Sequence, residues 1–302
     1  MTTPRPLLLL AALFGAISLT AAGCGGTATA VPTLSSFQQV ADASVATGSA
    51  RFSIKVEASI PGAEKPFSFS ADGGFDTVAK RAQVTVDLSS LAALFESLGA
   101  SLGGSPAGAP SDAGAWKLEA IVDGSVAYIH FPQLADRLPP GKTWVRGDAK
   151  DLSSANGGEL GQFGSFAGTD PKELFHYLAA LSGTIETVGT EELHGVETSH
   201  YRAAVDLTKL AALVPPDQRL GLAGLDQLLG KGGIGTIPVD VWVDAEQRMR
   251  KLVLDLRAAP AGSGEGLHAS LEMELFDYGR PLDLTLPPAD QVVDANTLER
   301  TP

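Results

Sequence analysis

Apolar and polar residues alternate with a period of two along much of this chain, a pattern typical of β-strands with one apolar and one solvated face. The first such run extends from Ala50 to Ile60. Further runs predict strands at Phe67–Ala71, Ala82–Leu88, Trp116–Ala120, Val126–His130, Lys142–Arg146, Ile185–Glu192, Glu197–Asp206, Val239–Val243, Met249–Leu256, Leu267–Phe276 and Leu282–Leu286. Turn signals such as Asp123-Gly124 and His194-Gly195 separate neighbouring runs and favour antiparallel hairpins.

Four other segments carry apolar residues at helical spacing. They are Ser36–Thr47, Leu91–Leu98, Pro171–Leu181 and a pair of short Leu-rich helices within Leu207–Leu229. The third begins with Asp170 and Pro171, a capping residue followed by proline in the first turn, and Gly183 is expected to end it. Several of these helices are apolar nearly all round, which is typical of buried helices.

The apolar helices have two interpretations that the residues leave open. In the first they complete the core beneath the apolar face of the sheet. In the second they line a cavity for an apolar ligand between helices and sheet. The residues expected to line such a cavity are Leu91, Leu94, Leu98, Leu222, Leu225 and Leu229.

The order of these elements predicts the domain organisation. A helix followed by a meander of strands occurs in each half of the chain, which favours one continuous antiparallel sheet of about ten strands. We therefore expect a single α+β domain over residues 36–293 and a C-terminal tail at 294–302. The alternative is two small domains divided near the Gly-rich stretch Gly147–Gly168.

The N-terminus has the layout of a bacterial export signal. Arg5 precedes the apolar run Leu7–Leu19, which is too short for a permanent membrane span, and small residues lead to Cys24. Ala21-Ala22-Gly23-Cys24 resembles a lipobox, with alanine where a branched residue is usual. We expect a signal peptide at 1–23, acylation of Cys24 and a flexible tether over 24–35. The alternative is a secreted protein with an unmodified thiol.

Composition and charge exclude some classes of function. The apolar fraction of 44% is sufficient for a globular core, and Cys24 has no second cysteine with which to form a disulfide. The formal charge of −13 becomes −14 after loss of the leader, because Arg5 is removed with no acidic residue. Such a chain is repelled by nucleic acid and by anionic lipid surfaces, so the acyl anchor must hold it at the membrane.

The chain carries no convincing catalytic or metal-binding motif. Gly99–Gly103 matches Gly-x-Ser-x-Gly, but the predicted helix before it and the loop after it differ from the strand and helix that a nucleophile elbow requires. Gly230–Gly235 lacks the ending of a phosphate-binding loop and is expected to be a hinge. The five histidines, His130, His176, His194, His200 and His268, lack metal-ligand spacing and are expected on solvated surface. We expect neither enzymatic activity nor a cofactor.

Several segments resemble a known family. The resemblance is to actinobacterial LppX/LprAFG-type lipoproteins and covers roughly Phe37 to Val293. It rests on Trp144-Val145-Arg146 after Pro139-Pro140-Gly141, Val188–Glu192, Gly195–Tyr201, Ile237–Val243 and Phe276–Gly279. It implies a LolA-like half-barrel, in which a curved antiparallel sheet with short helices on its concave face encloses an apolar cavity for the acyl chains of envelope lipids or lipoglycans.

Two functions are compatible with these features. The first is a membrane-anchored lipoprotein on the outer face of the cell membrane that binds or transfers acylated envelope lipids. Its expected partners are the membrane, through the acyl chains on Cys24, an acylated lipid or glycolipid ligand, and an envelope export protein. The second is an envelope lipoprotein that carries no lipid and acts as a scaffold or regulator of a protein partner through its acidic surface.

Overall fold

The residues described by the computed structural model form one sheet of twelve strands, antiparallel except for a short parallel strand at one edge. The described residues are 34–59, 66–90, 116–149, 181–206, 209, 236–258 and 267–298. All of them belong to the compact unit Val31–Pro302. Within these ranges the structure is mostly β, with few helices.

The strands form two meanders. The first contains β1 (Ser49–Ser59), β2 (Phe67–Asp76), β3 (Arg81–Asp87), β4 (Lys117–Asp123), β5 (Val126–His130) and β6 (Trp144–Asp148). The second contains β7 (Leu181–Leu193), β8 (Val196–Asp206), β9 (Thr236–Asp244), β10 (Met249–Ala258) and β11 (Leu267–Phe276). A three-residue strand, β12 (Val292–Asp294), pairs in parallel with β6. Helices in the described part of the chain include α1 (Leu34–Ala46), α2 (Ala295–Leu298) and two 3-10 helices at Pro132–Arg137 and Ala289–Gln291.

Strands β1 and β11 join the two meanders. Their antiparallel pairing places Phe52 opposite Leu275 and Val56 opposite Leu271. Strand β1 pairs with β2 on its other side, so the sheet order is β12-β6-β5-β4-β3-β2-β1-β11-β10-β9-β8-β7. The continuous antiparallel sheet predicted from the alternation is therefore confirmed.

Two hairpin turns of the sheet contain a glycine with positive φ. His194 and Gly195 connect β7 to β8, as predicted, with φ values of 51° and 76°. The turn between β4 and β5 lies one residue later than predicted, because Asp123 still pairs with Val126. The loop residues are Gly124 and Ser125, and the φ of 65° at Gly124 belongs to the left-handed region that glycine tolerates best.

Two sequence predictions of local structure are wrong. Leu181 and Gly183, expected in the last turn and at the end of a helix, lie in β7. The predicted strand Leu282–Leu286 is irregular chain that leads from β11 towards β12. Leu282 is buried there on Gly74 of β2, where a Cβ would lie 2.8 Å from its Cδ1 atom. Both sides of β11 are already paired, with β1 and β10, so the alternating leucines have no neighbouring strand to join.

Helix α1 packs against the apolar face of the second meander. Phe37 and Val40 are 1% and 2% exposed, and the Phe37 ring meets the Tyr201 ring edge-on at 6.2 Å. The helix ends at Ala46, and Gly48 follows with a φ of 80°. The predicted amphipathic helix is confirmed, and it begins two residues earlier than predicted, at Leu34.

Candidate functional site

The two faces of the sheet differ in chemistry because successive side chains of a strand point to opposite sides. On β1, Phe52, Ile54 and Val56 lie on one side, which we call the apolar face. The residues between them, Arg51, Ser53, Lys55 and Glu57, lie on the other side, which we call the polar face. Cross-strand partners share a face, so the registers of the ladders extend both faces over the whole sheet.

Two buried clusters occupy the apolar face. The first lies on β7–β11 beneath α1 and includes Phe37, Val40, Tyr201, Val239, Val241, Met273 and Leu275. The second lies on β2–β6 and includes Val86, Trp116, Leu118, Ala120, Ile129 and Phe131. Ile54 of β1 packs against both clusters. Among the described residues, the centre of the sheet is therefore the seam between these two clusters.

A band of apolar side chains along this seam is only half-buried. We call it the central strip, and its members are Phe52, Ile54, Val56, Phe67, Phe69, Leu254 and Leu271. A solid core would bury side chains at the middle of so wide a sheet. The side chains of the central strip keep accessible surface although they lie at the middle of the sheet.

On β1 the central strip ends against fully buried residues near α1, which we call its closed end. The end near Ser59 stays half-buried, and we call it the open end. At its inner end, Ala50, Phe75 and Leu275 are 3%, 6% and 2% exposed. At its outer end, Ala58 and Ala269 are half-buried opposite each other on β1 and β11. On β1 the apolar-face residues are therefore fully buried at Ala50 and half-buried from Phe52 to Ala58, whereas Leu256 of β10, opposite Ala269, is 6% exposed.

Gly73 of β2 shapes the inner end of the strip. It lies directly opposite Phe52. A Cβ at Gly73 would lie 2.6 Å from Phe52 Cζ and 2.3 Å from the backbone oxygen of Gln83. The Phe52 ring therefore lies close to the Gly73 backbone, where no larger residue would leave it room. A glycine inside a strand often marks such a close approach.

The inner end is held by hydrogen bonds between α1 and the sheet. The Met249 N–H donates to Ser44 Oγ at 2.9 Å, and Ser44 Oγ donates to the Val40 carbonyl at 2.7 Å. The Tyr278 hydroxyl donates to the Met249 carbonyl at 2.5 Å. Burial is the main cause that raises the pKa of Tyr278 well above its usual range, so this hydroxyl stays protonated and keeps donating.

A buried carboxylate fixes the β9–β10 turn beside this contact. The Asp244 side chain is fully buried and accepts from Arg250 Nε at 2.7 Å and from Arg248 Nε at 2.9 Å. It also accepts the backbone N–H groups of Glu246 and Arg248. Both guanidinium groups lie over the Tyr278 ring, 5.3 Å and 5.0 Å from its centroid. Each charge has a partner, so this cluster has a structural role.

The tip of the β7–β8 hairpin folds over the polar face. His194 Nε2 lies 2.8 Å from Glu274 of β11, and its ring stacks on Phe276 at 5.0 Å. Trp242 Nε1 donates to Glu191 at 2.7 Å. His200 stacks on Trp242 at 4.1 Å and its side chain is only 14% exposed, so the prediction of solvated surface is wrong for this histidine.

Charged side chains on the polar face form ion pairs with one another. Lys251 Nζ lies 3.1 Å from Glu272 and 3.2 Å from Glu274. Burial opposes the charged form of Lys251, but hydrogen bonds to both carboxylates raise its pKa above the usual value. Burial likewise raises the pKa of Glu274, and the hydrogen bonds from His194 and Lys251 outweigh it and lower that pKa. Within the described ranges, His, Cys, Asp and Glu side chains form no group of three suited to a metal ion.

The sequence-predicted site residues cannot be placed. Cys24, the cavity residues Leu91, Leu94, Leu98, Leu222, Leu225 and Leu229, and the two glycine motifs lie outside the described residues. The central strip was not singled out from the sequence. The signal that could have found it is the Gly73-Gly74 pair inside a strand pattern, since one glycine accommodates Phe52 and the other Leu282.

Where the chain is described, no helix is long and apolar enough to cross a membrane.

No family model matches the sequence. An uncharacterised 31.2 kDa protein of Streptomyces griseus, from the rplA-rplJ intergenic region, is 31% identical over 158 residues. The alignment covers 51% of this chain and 48% of that relative, so the chain spans about half the length of the curated protein it matches.

Solved structures resemble the chain at low identity. Lipoprotein LppX of Mycobacterium tuberculosis is 13% identical with a TM-score of 0.42, over 83% of this chain and 97% of its own. LprF of Mycobacterium bovis is 16% identical with a TM-score of 0.43, over 85% and 99%. A LolA superfamily protein of Nitrosomonas europaea is 10% identical with a TM-score of 0.25, over 82% and 95%. The chain is thus structurally similar to the LppX and LprF lipoproteins and to LolA superfamily proteins over most of its length.

Proposed function

We propose that this chain is a lipid-anchored protein of the bacterial cell envelope that binds or transfers acylated lipids, and that it holds an acyl chain along the central strip. The observation that carries the proposal is the half-buried apolar surface of β1 between two fully buried cores. The proposed activity is non-enzymatic.

The chemistry of the strip favours an alkyl chain as the ligand. The strip consists of aromatic and branched aliphatic side chains, which offer apolar surface and no hydrogen-bonding group. From Phe52 to Ala58 it extends over six strand steps, or about 20 Å, which is comparable to the length of a fatty-acyl chain. Each buried methylene contributes about 0.8 kcal/mol, so binding needs no charged contact. The head group would then lie at the open end, near Ser59.

The N-terminal sequence supports the location. Residues 1–23 have the layout of an export signal, and Cys24 follows the small residues of a lipobox-like segment. A diacylglyceryl anchor on Cys24 would hold the acidic domain at the outer face of the membrane, which its charge alone would not do. The anchor and the ligand both contain acyl chains. The anchor is covalently attached to Cys24, whereas the proposed ligand is bound non-covalently and can exchange.

Native mass spectrometry of the protein from its own host tests the proposal. The parent should retain an acylated lipid. Val56→Trp places a large side chain on the strip and should reduce bound lipid while the melting temperature changes little. The matched control is Glu57→Trp, which adds the same side chain to the next position of β1 on the polar face and should leave bound lipid unchanged.

The opposite result would identify a solid core. An overpacked core is destabilised by about 1–3 kcal/mol, so Val56→Trp would then melt at a clearly lower temperature. That result, together with a parent that carries no lipid, would overturn the proposed function.

A further inference from the structure

Phe52 differs from the other members of the central strip in its position. It is the innermost half-buried residue of β1, and the next residue on the same face, Ala50, is fully buried. Its opposite neighbour on β11, Leu275, is also fully buried. Phe52 therefore lies where the accessible strip meets the closed end of the sheet.

The space that the ring occupies exists because of Gly73. With any side chain at Gly73, the ring could not keep its position, since a Cβ there would be 2.6 Å from Phe52 Cζ. The ring thus occupies the space over the Gly73 backbone and still keeps accessible surface. An apolar chain that enters from the open end would meet this ring last.

Resting on the proposed function, we propose that Phe52 determines the length of acyl chain that the protein accepts, by stopping the methyl end of the chain at the closed end of the strip. Removal of the ring would extend the strip by the spacing to the next residue on the same face. This spacing is two strand steps, or about 6.6 Å. The site would then accept longer chains, with the space over Gly73 as the added volume.

A series of saturated fatty acids from lauric to lignoceric acid tests this assignment. The delipidated full chain is incubated with an equimolar mixture of the acids, and the bound acids are identified by native mass spectrometry. In the parent, affinity should rise about fourfold per methylene until the strip is filled and then stop rising. In Phe52→Ala the rise should continue to longer acids, and the most populated complex should shift to a longer acid.

Two further variants make the assignment specific. Val56→Ala removes apolar volume from the same face of the same strand, nearer the open end, and should weaken binding of all acids without moving the preferred length. Phe52→Leu retains most of the apolar surface and should shift the preferred length less than Phe52→Ala. It also serves as the test where Phe52→Ala does not fold, as judged from its thermal melting.

The outcomes separate the length assignment from the proposed function. A folded Phe52→Ala or Phe52→Leu with the length preference of the parent would overturn the role of Phe52 while leaving lipid binding intact. An equal shift in Val56→Ala would also overturn it. A parent that binds none of the acids would overturn the proposed function, and the length assignment with it.

Discussion

Replacing Gly73 with alanine tests the geometry at the inner end of the central strip. Alanine normally stabilises a strand or helix position relative to glycine by about 0.4–1 kcal/mol, because it restricts the unfolded chain. At Gly73 the added methyl group would instead lie 2.3 Å from the Gln83 carbonyl oxygen and 2.6 Å from Phe52 Cζ. Both distances are below the 3.0 Å that Cβ atoms in proteins respect.

The two clashes differ in how they can be relieved. The Phe52 ring can turn, but the Gln83 carbonyl belongs to the backbone of β3, which pairs with β2 at this point. Moving it separates the two strands, so the cost resembles that of overpacking a core, about 1–3 kcal/mol. We therefore expect Gly73→Ala to be less stable than the parent by about 1–3 kcal/mol, which lowers the melting temperature by roughly 2–4 °C per kcal/mol in a domain of this size.

Urea unfolding followed by circular dichroism measures this change. Gly189→Ala is the matched control, since Gly189 also lies in a strand but has no atom within 4 Å of an added Cβ, and it should be neutral or slightly stabilising. Adding Phe52→Ala to Gly73→Ala should not restore the stability lost through the Gln83 clash. If Gly73→Ala is as stable as Gly189→Ala, or if the double variant recovers the loss, the close packing of β2 on β3 inferred here is wrong.

Two other substitutions test the remaining features. Asp244→Ala leaves Arg248 and Arg250 without their buried partner and should lower the free energy of unfolding in urea by about 3–5 kcal/mol. The control Arg81→Ala breaks an exposed ion pair worth about 0–1 kcal/mol. Similar losses in the two variants would contradict the structural role of Asp244. Cys24→Ala should move the protein from the membrane fraction to the soluble fraction, and a variant still in the membrane after a carbonate wash would refute acylation at Cys24.

The sequence was sufficient to predict most of the sheet. Strands such as β1 and β11 alternate cleanly because one face is apolar and the other solvated, and the period of two fixes which residues share a face. The turn at His194-Gly195 was also predicted from the sequence, and both residues adopt positive φ there. The two meanders form one sheet, as predicted, but their junction through β1 and β11 was not predicted.

The failures have a common physical origin in contacts between segments distant in sequence. Leu282 belongs to an alternating run, but its burial against Gly74 depends on the route of the chain over the polar face. The burial of His200 depends on its stacking against Trp242 and on the β7–β8 hairpin that folds over this side. The central strip could not be predicted for the same reason. Alternation identifies which residues are apolar, but the solvent-accessible surface of each residue depends on the segments that pack against it.

The pairing of β1 with β11 can form only late in the synthesis of the chain. Ser49 Oγ donates to the Arg280 carbonyl across 231 residues of sequence, and β1 is synthesised long before its partner strand. Until β11 has been synthesised, one edge of β1 is unpaired and lies next to an apolar face. Such an edge can pair with a strand of another chain, which promotes aggregation. Contacts so remote in sequence also slow folding, because the chain entropy lost in closing a long loop comes before the stabilising contacts. The nascent chain is therefore exposed to self-association until β11 (Leu267–Phe276) has been synthesised.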